Sequence, residues 1–229
     1  MCAVVVSSSN TKGVVYVWGG CDHGQQGAIM GDILEPTKIH LDVAHVDESF
    51  SLIGLGGGHV SAITDTPKSS STSMLGGKVF TWGISPLQQQ QQQQLTSSPR
   101  VVEMKPSSCS ATALSCGAMT TAVIFKDSTN GQSKLCQVVT TENGKSQCLP
   151  VSQAAGPVAV ACGALHTLLL CSEGLIGVRS FGNNASGQLG VGDKQDREIP
   201  TLVKVVESPQ QPAVMMIAAG GKHSLCVTE

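Results

Sequence analysis

Three histidines recur in one setting, and that setting decides what chemistry they could do. His59 follows Gly56-Gly57-Gly58, His166 follows Gly163-Ala164-Leu165, and His223 follows Gly220-Gly221-Lys222. Three imidazoles at equivalent repeat positions could form a metal ring. A histidine beside a glycine turn and close to Ser or Thr more often fixes the turn by hydrogen bonds. Thr120 holds the matching position in a fourth copy of the motif. A metal would lose a ligand there, whereas a turn accepts another hydrogen-bonding side chain. The structural reading is preferred, and no metal is assigned. Metal binding through the repeated histidines stays as a second alternative.

Other reactive constellations are missing. No Gly-x-Ser-x-Gly elbow occurs, and no phosphate loop or dinucleotide fingerprint. Gly187-Gln188-Leu189-Gly190-Val191-Gly192 superficially resembles a phosphate loop, but it belongs to a repeat and no helix signal follows it. The nine cysteines form no CxxC pair. Cys116 and Cys162 each precede a glycine at matching repeat positions, where a small buried residue suffices. Reduced core cysteines are the expectation. No cofactor and no enzymatic activity are expected from these residues.

The elements that carry these residues repeat along the chain, and a repeat is the first thing to look for. The anchor positions 59, 120, 166 and 223 stand 61, 46 and 57 residues apart. Each anchor follows a small-residue turn and starts an apolar strand. A second element is a strand that ends in an aromatic residue and glycine: Val14 to Trp18-Gly19, Lys78 to Trp82-Gly83, and Gly177 to Phe181-Gly182. Leu135 to Val139 is a weaker copy. The repetition of Trp18, Trp82 and Phe181 argues for packing rather than ligand binding. A third element sets glycines at fixed offsets, Gly19, Gly24 and Gly27 in one unit against Gly182, Gly187 and Gly190 in another. Fixed glycines mark positive φ or close backbone approach. A proline then opens a strand in each unit, at Pro36, Pro99, Pro150 and Pro200.

Composition agrees with short strands and tight turns. The chain has 229 residues, 26 of them glycine, and charged residues make up only 13%, against about a quarter in a typical soluble domain. The net charge is -2, from 14 basic and 16 acidic residues, so nothing points to nucleic acid or an anionic membrane. No stretch approaches a transmembrane span, and the first residues lack a secretory signal pattern. One unit of about four short strands cannot bury its apolar face alone. Stacking units around an axis solves that problem.

The order Trp-Gly, Gly-Gln-Leu-Gly, proline strand, Gly-x-x-His-Ser/Thr resembles the regulator-of-chromosome-condensation repeat. Phe181 to Gly190, with Pro200 and Gly220 to Thr228, matches one full repeat closely. The first unit matches well, the second at both ends, and the third poorly. Kelch and WD-type repeats fit less well, because the double glycine does not recur and no Trp-Asp dipeptide exists. The resemblance implies an all-β fold of β-propeller-type blades, each of four antiparallel strands. The family has seven blades, and this chain carries about four.

A single repeat domain over residues 1–229 is expected, with units near 1–64, 65–125, 126–171 and 172–229. Residues 84–98, which hold the glutamine run Gln88 to Gln94, read as a loop insertion. The phasing begins and ends in mid-unit. Three resolutions stand open: pairing with another chain, a small closed ring, or a partial arc, which is favoured. Exposed blade edges call for cover.

Candidate binding residues come from loops at the blade ends: Asp22, His23, Asn183, Asn184, Asp193, Asp196 and Arg197. Trp18, Gly19, Gly24, Gly27, His59, Trp82, His166, Phe181, Gly182, Gly187, Gly190 and His223 are read as structural repeat positions. The expected function is a protein-interaction scaffold in an intracellular, cytoplasmic or nuclear setting. The resemblance also implies an alternative, guanine-nucleotide exchange on a small Ran-like GTPase. No stretch matches the wedge that exchange needs, and the basic tail that chromatin binding would want is missing.

Overall fold

In the computed structural model, the described residues are 2–5, 14–20, 31–38, 50–64, 78–83, 96–101, 109–118, 120–127, 129–140, 146–150, 156–172, 177–203 and 213–229. All regular structure among them is β-strand. Three sheets have four antiparallel strands each. The first contains β4 (Phe50–Leu55), β5 (His59–Thr64), β6 (Val79–Gly83) and β7 (Thr96–Val101). The second contains β8 (Cys109–Cys116), β9 (Thr121–Asp127), β10 (Ser133–Thr140) and β11 (Ser146–Pro150). The third contains β12 (Pro157–Cys162), β13 (His166–Cys171), β14 (Gly177–Gly182) and β15 (Arg197–Leu202). Before them lies a three-stranded sheet of β1 (Cys2–Val5), β2 (Val14–Gly19) and β3 (Ile33–Lys38). After them lies a hairpin of β16 (Val214–Ala219) and β17 (Ser224–Thr228).

The fold is a partial propeller of about four blades. Strand order within each sheet follows sequence order, and first strands of neighbouring sheets pack together. In the four-stranded sheets the second strands lie deepest. Every residue of β5 is buried, because a neighbouring sheet covers each face, so these strands read as continuous runs rather than alternating ones. Fourth strands lie outside, and β3 is exposed over most of its length. The sequence units are offset from the sheets: each unit joins the outer half of one sheet to the inner half of the next.

Apolar clusters sit between sheets. Val15 and Val17 pack with Phe50, Val60, Ala62, Phe80 and Trp82. Ile63 and Val79 pack with Val123 and Phe125, while Ala122, Ile124 and Leu135 pack with Leu169, Cys171 and Phe181. Trp82 and Phe181 lie buried in these clusters.

Two expectations change. The prolines do not open strands: Pro36, Pro99 and Pro200 are each fourth in a six-residue strand, and Pro150 is the last of β11. An outermost strand has a free edge, where a missing N–H removes no ladder bond. A register shift marks each six-residue case, as between Ser180 and Gly182 opposite β15. Residues Thr96 to Ser98, placed in the 84–98 insertion by the sequence, begin β7. The glutamine run lies outside the described residues.

Candidate functional site

The first-to-second-strand turns are built alike. In each, the leading glycine N–H donates to the anchor carbonyl: Gly56 to His59 (2.8 Å), Gly117 to Thr120 (2.7 Å), Gly163 to His166 (2.7 Å) and Gly220 to His223 (2.9 Å). The turns are also tied to one another. Gly57 N–H donates to Ala118 O at 3.1 Å, Ala118 N–H to Ala164 O at 3.2 Å, and Ala164 N–H to Gly220 O at 3.3 Å. A shallow cavity of about 270 Å³ runs along these turns.

The anchor side chains explain the glycines. A Cβ on Gly56 or Gly163 would stand 2.4 Å from the Nδ1 of His59 or His166, and one on Gly117 would stand 2.8 Å from Thr120 Oγ1. Thr120 therefore packs where the imidazoles pack. The histidines reach across to the next sheet: His59 Nε2 is 2.8 Å from Thr121 Oγ1, and His166 Nε2 is 3.0 Å from Ser224 Oγ. The Ser224 hydroxyl donates to Gln188 O at 2.7 Å, so it accepts from His166, whose proton is then on Nε2. Neither Nδ1 has a hydrogen-bond partner. Burial holds both imidazoles below the usual histidine value, with the Thr120 carbonyl opposing this at His59. Among the described residues no group of three His, Cys, Asp or Glu is placed to hold a metal.

Burial also raises two thiols. Cys116 is pushed up to about 11, against a partial offset from the Thr121 hydroxyl 3.4 Å away, and Cys162 is raised beside Thr167.

The loop between β14 and β15 lies at the same blade end as the turns, since Asn183 N–H donates to Leu165 O at 2.8 Å. Asn184 organises it. Its side chain is fully buried; its Oδ1 accepts from Leu189 N–H (3.0 Å) and its Nδ2 donates to Asp193 O (2.9 Å) and Gln195 O (3.0 Å). Asp196 accepts from the Asn184 N–H at 2.7 Å, Gln188 donates to Asn183 Oδ1 at 2.8 Å, and Arg197 pairs with Asp193. Backbone N–H donation from Gln195 is the main cause that lowers the Asp193 carboxyl, followed by Arg197. The loop is held by its own bonds and presents Asp193, Lys194, Gln195 and Asp196 to solvent.

The regulator of chromosome condensation (RCC1) repeat pattern matches residues 178–227, and a second form of it matches 158–188. Residues 158–227 are thus built of RCC1-type repeats. The ultraviolet-B receptor UVR8 of Arabidopsis thaliana is 40% identical over 70 residues, 31% of this chain and 15% of the receptor. The mitochondrial RCC1 domain-containing protein RUG3 of the same plant is 25% identical across 95% of this chain and 48% of its own length. Among solved structures, human WBSCR16 superposes with a TM-score of 0.71 at 19% identity, covering 100% of this chain and 56% of that one. Prp20p of Saccharomyces cerevisiae, described with its binding to Gsp1p and histones, gives 0.68 at 18% identity over 93% of this chain and 51% of that one. The chain spans about half the length of RUG3 and of these solved chains.

At two of the four turns the residue after the anchor takes part in the joint between sheets. Thr121 and Ser224 receive the imidazoles of preceding sheets; the only signal for them was the Ser or Thr beside the repeated histidine. Gln188, buried and bonded to Asn183, was read only as part of a glycine loop. Asn183, Asn184, Asp193, Asp196 and Arg197 do come together, but Asn184 faces inward. Asp22, His23, Gly24 and Gly27 lie outside the described residues.

Proposed function

We propose that this chain is a protein-interaction scaffold whose contact face is the blade end carrying the inner turns and the 183–196 loop. The observation behind this reading is the loop held by Asn184. It fixes a charged, solvent-facing surface on a rigid frame, so a partner would incur little ordering cost on binding. The RCC1-type repeats support the fold, and function is argued from the site. Among the described residues, no helix is long and apolar enough to cross a membrane.

The alternative is regulation of a small GTPase, suggested by the likeness to Prp20p, which is described with Gsp1p. An intracellular setting accompanies both readings; RUG3, named mitochondrial, widens the choice beyond cytoplasm and nucleus. Catalysis by relatives such as human HERC2, an E3 ubiquitin-protein ligase matched over 1% of its length, belongs to those proteins.

The test is affinity capture compared across variants. Lys194→Glu with Lys222→Glu alters the proposed face, and Lys126→Glu alters an exposed site on another element. A partner lost with the first pair and kept with the second supports the face; equal capture by all three rejects it. Release of labelled nucleotide from a panel of GTPases, with none stimulated, removes the alternative.

A further inference from the structure

The turn that joins β9 to β10 carries the pair Asn130-Gly131. Strand β9 begins at Thr121, beside its inner turn, and ends at Asp127. The β9–β10 turn therefore lies at the opposite end of the sheet from the face proposed above. Backbone bonds close it: Asp127 N–H donates to Gln132 O at 2.9 Å, and Gly131 N–H donates to Asp127 O at 2.8 Å. The Asp127 carboxylate supports it, accepting from Thr129 N–H at 2.9 Å and from the Thr129 hydroxyl at 2.6 Å. Gly131 has a φ of 70°, which glycine adopts without a steric penalty. Asparagine suits such turns because its side chain bonds the backbone two residues on. Asn130 does so, its Oδ1 accepting from Gln132 N–H at 2.9 Å.

The residues that suit the turn also suit a reaction between them. Asn130, Gly131 and Gln132 are all exposed, so water reaches the pair. A Cβ at Gly131 would meet nothing within 4 Å; neither a side chain of its own nor a neighbour shields its nitrogen. The bond from Gln132 N–H polarises the Asn130 side-chain carbonyl and makes Cγ the better electrophile. One contact opposes the reaction, because the Gly131 N–H is held by Asp127 O. The asparagines of the 183–196 loop are placed differently. Asn184 is buried, with both side-chain polar atoms bonded. Asn183 accepts from Gln188 and is followed by a residue with a side chain.

We propose that Asn130 is a site of spontaneous conversion to aspartate and isoaspartate in the folded protein, gated by the bond between Gly131 N–H and Asp127 O. When that bond opens, the Gly131 nitrogen gives up its proton to base and attacks Asn130 Cγ. A Cγ–N bond forms, the Cγ–Nδ2 bond breaks, and ammonia leaves. The product is a cyclic imide. Water then opens the ring at either carbonyl: at Cγ it gives isoaspartate when the main-chain bond is the one broken, and aspartate when the new bond is. Isoaspartate carries the main chain through the side-chain carbon, so the two backbone bonds of the turn cannot both be kept. Either product adds a negative charge close to the Asp127 carboxylate, which Lys134 Nζ faces at 3.9 Å. The proposal goes beyond the scaffold reading, since it concerns the other end of the sheet, and neither requires the other.

The test is incubation of the native 229-residue chain at mildly alkaline pH, followed over time by tryptic mapping. Cleavage after Lys126 and Lys134 puts Asn130 in peptide 127–134, while the pair Asn143-Gly144, outside the described residues, falls in 135–145. The readouts on peptide 127–134 are the amide-to-acid mass shift and methyl acceptance from an isoaspartyl methyltransferase. The expected result is conversion in the native protein, slower than in the same peptide free in solution. Thr129→Ala removes one hydrogen bond to Asp127 at an exposed position and should speed conversion about fivefold. Asn130→Gln should leave peptide 127–134 unchanged over the same period. A native protein that stays unconverted while the free peptide converts overturns the proposal. So does an equal mass shift in Asn130→Gln, which would place the reaction at Gln132. Conversion as fast in the native protein as in the free peptide, or no effect of Thr129→Ala, overturns the gate.

Discussion

His166 of β13 and Ser224 of β17 belong to neighbouring sheets, and their side chains meet at 3.0 Å. His59 and Thr121 repeat the relationship at 2.8 Å. The histidine that marks the repeat thus serves the joint between blades as well as its own turn. A double-mutant cycle over His166→Ala and Ser224→Ala should give a coupling of about 1 kcal/mol in urea unfolding. Additive losses would show that the bond contributes nothing to the joint.

The same joints set a pH dependence. Burial holds the folded His59 and His166 below the ordinary value of 6.5. The unfolded chain then binds protons first as pH falls, and unfolding gains free energy from them. The stabilisation is complete above about pH 6.5, declines below it, and is lost by the lower folded value. Protonation would also place a buried N–H at Nδ1, which has no partner. The urea midpoint should fall between neutral and mildly acidic pH, and less steeply in His59→Gln. Equal slopes in both proteins would remove His59 as a cause.

Gly182 should be the most sensitive glycine of the third sheet. Its φ is 105°, and a Cβ there would stand 2.5 Å from Leu165 O and 2.9 Å from His166 Cα. Gly182→Ala should cost about 1–3 kcal/mol from backbone strain, with the clash added to it. Gly221, which has nothing within 4 Å of the same construction, is the control, and Gly221→Ala should change the urea midpoint little. Similar effects at both positions would mean that the sheet relaxes around residue 182.

How far the sequence could be read follows from the same residues. Trp82, Phe181, Gly182 and the anchors were legible because each repeat demands the same residue type at the same backbone position. The proline position was misread, since sequence shows that proline tolerates a strand but not which strand is outermost. Asn184 was read as a surface candidate because Asn is usually exposed; its burial comes from bonds to residues 189, 193 and 195, and no local pattern encodes that. The offset between units and sheets was half legible, in the mid-unit phasing. Pairing alone reveals that β1 holds a second-strand place.

Thiol chemistry separates the exposed strand from the buried ones. The thiolate is the reactive form, and both burial and a raised pKa suppress it. Cys226 is exposed on β17, whereas Cys162 is buried and Cys116 is pushed up to about 11. Iodoacetamide at mildly alkaline pH should therefore modify Cys226 before Cys109, Cys116, Cys136, Cys162 and Cys171, with Cys116 and Cys162 following only as the sheets open. Adding urea below the unfolding midpoint should speed Cys116 and Cys162 and leave Cys226 nearly unchanged, as peptide mapping over time would show. If Cys116 is alkylated as fast as Cys226 in the native protein, the joint between the 50–101 and 109–150 sheets opens faster than its packing and the His59–Thr121 bond imply.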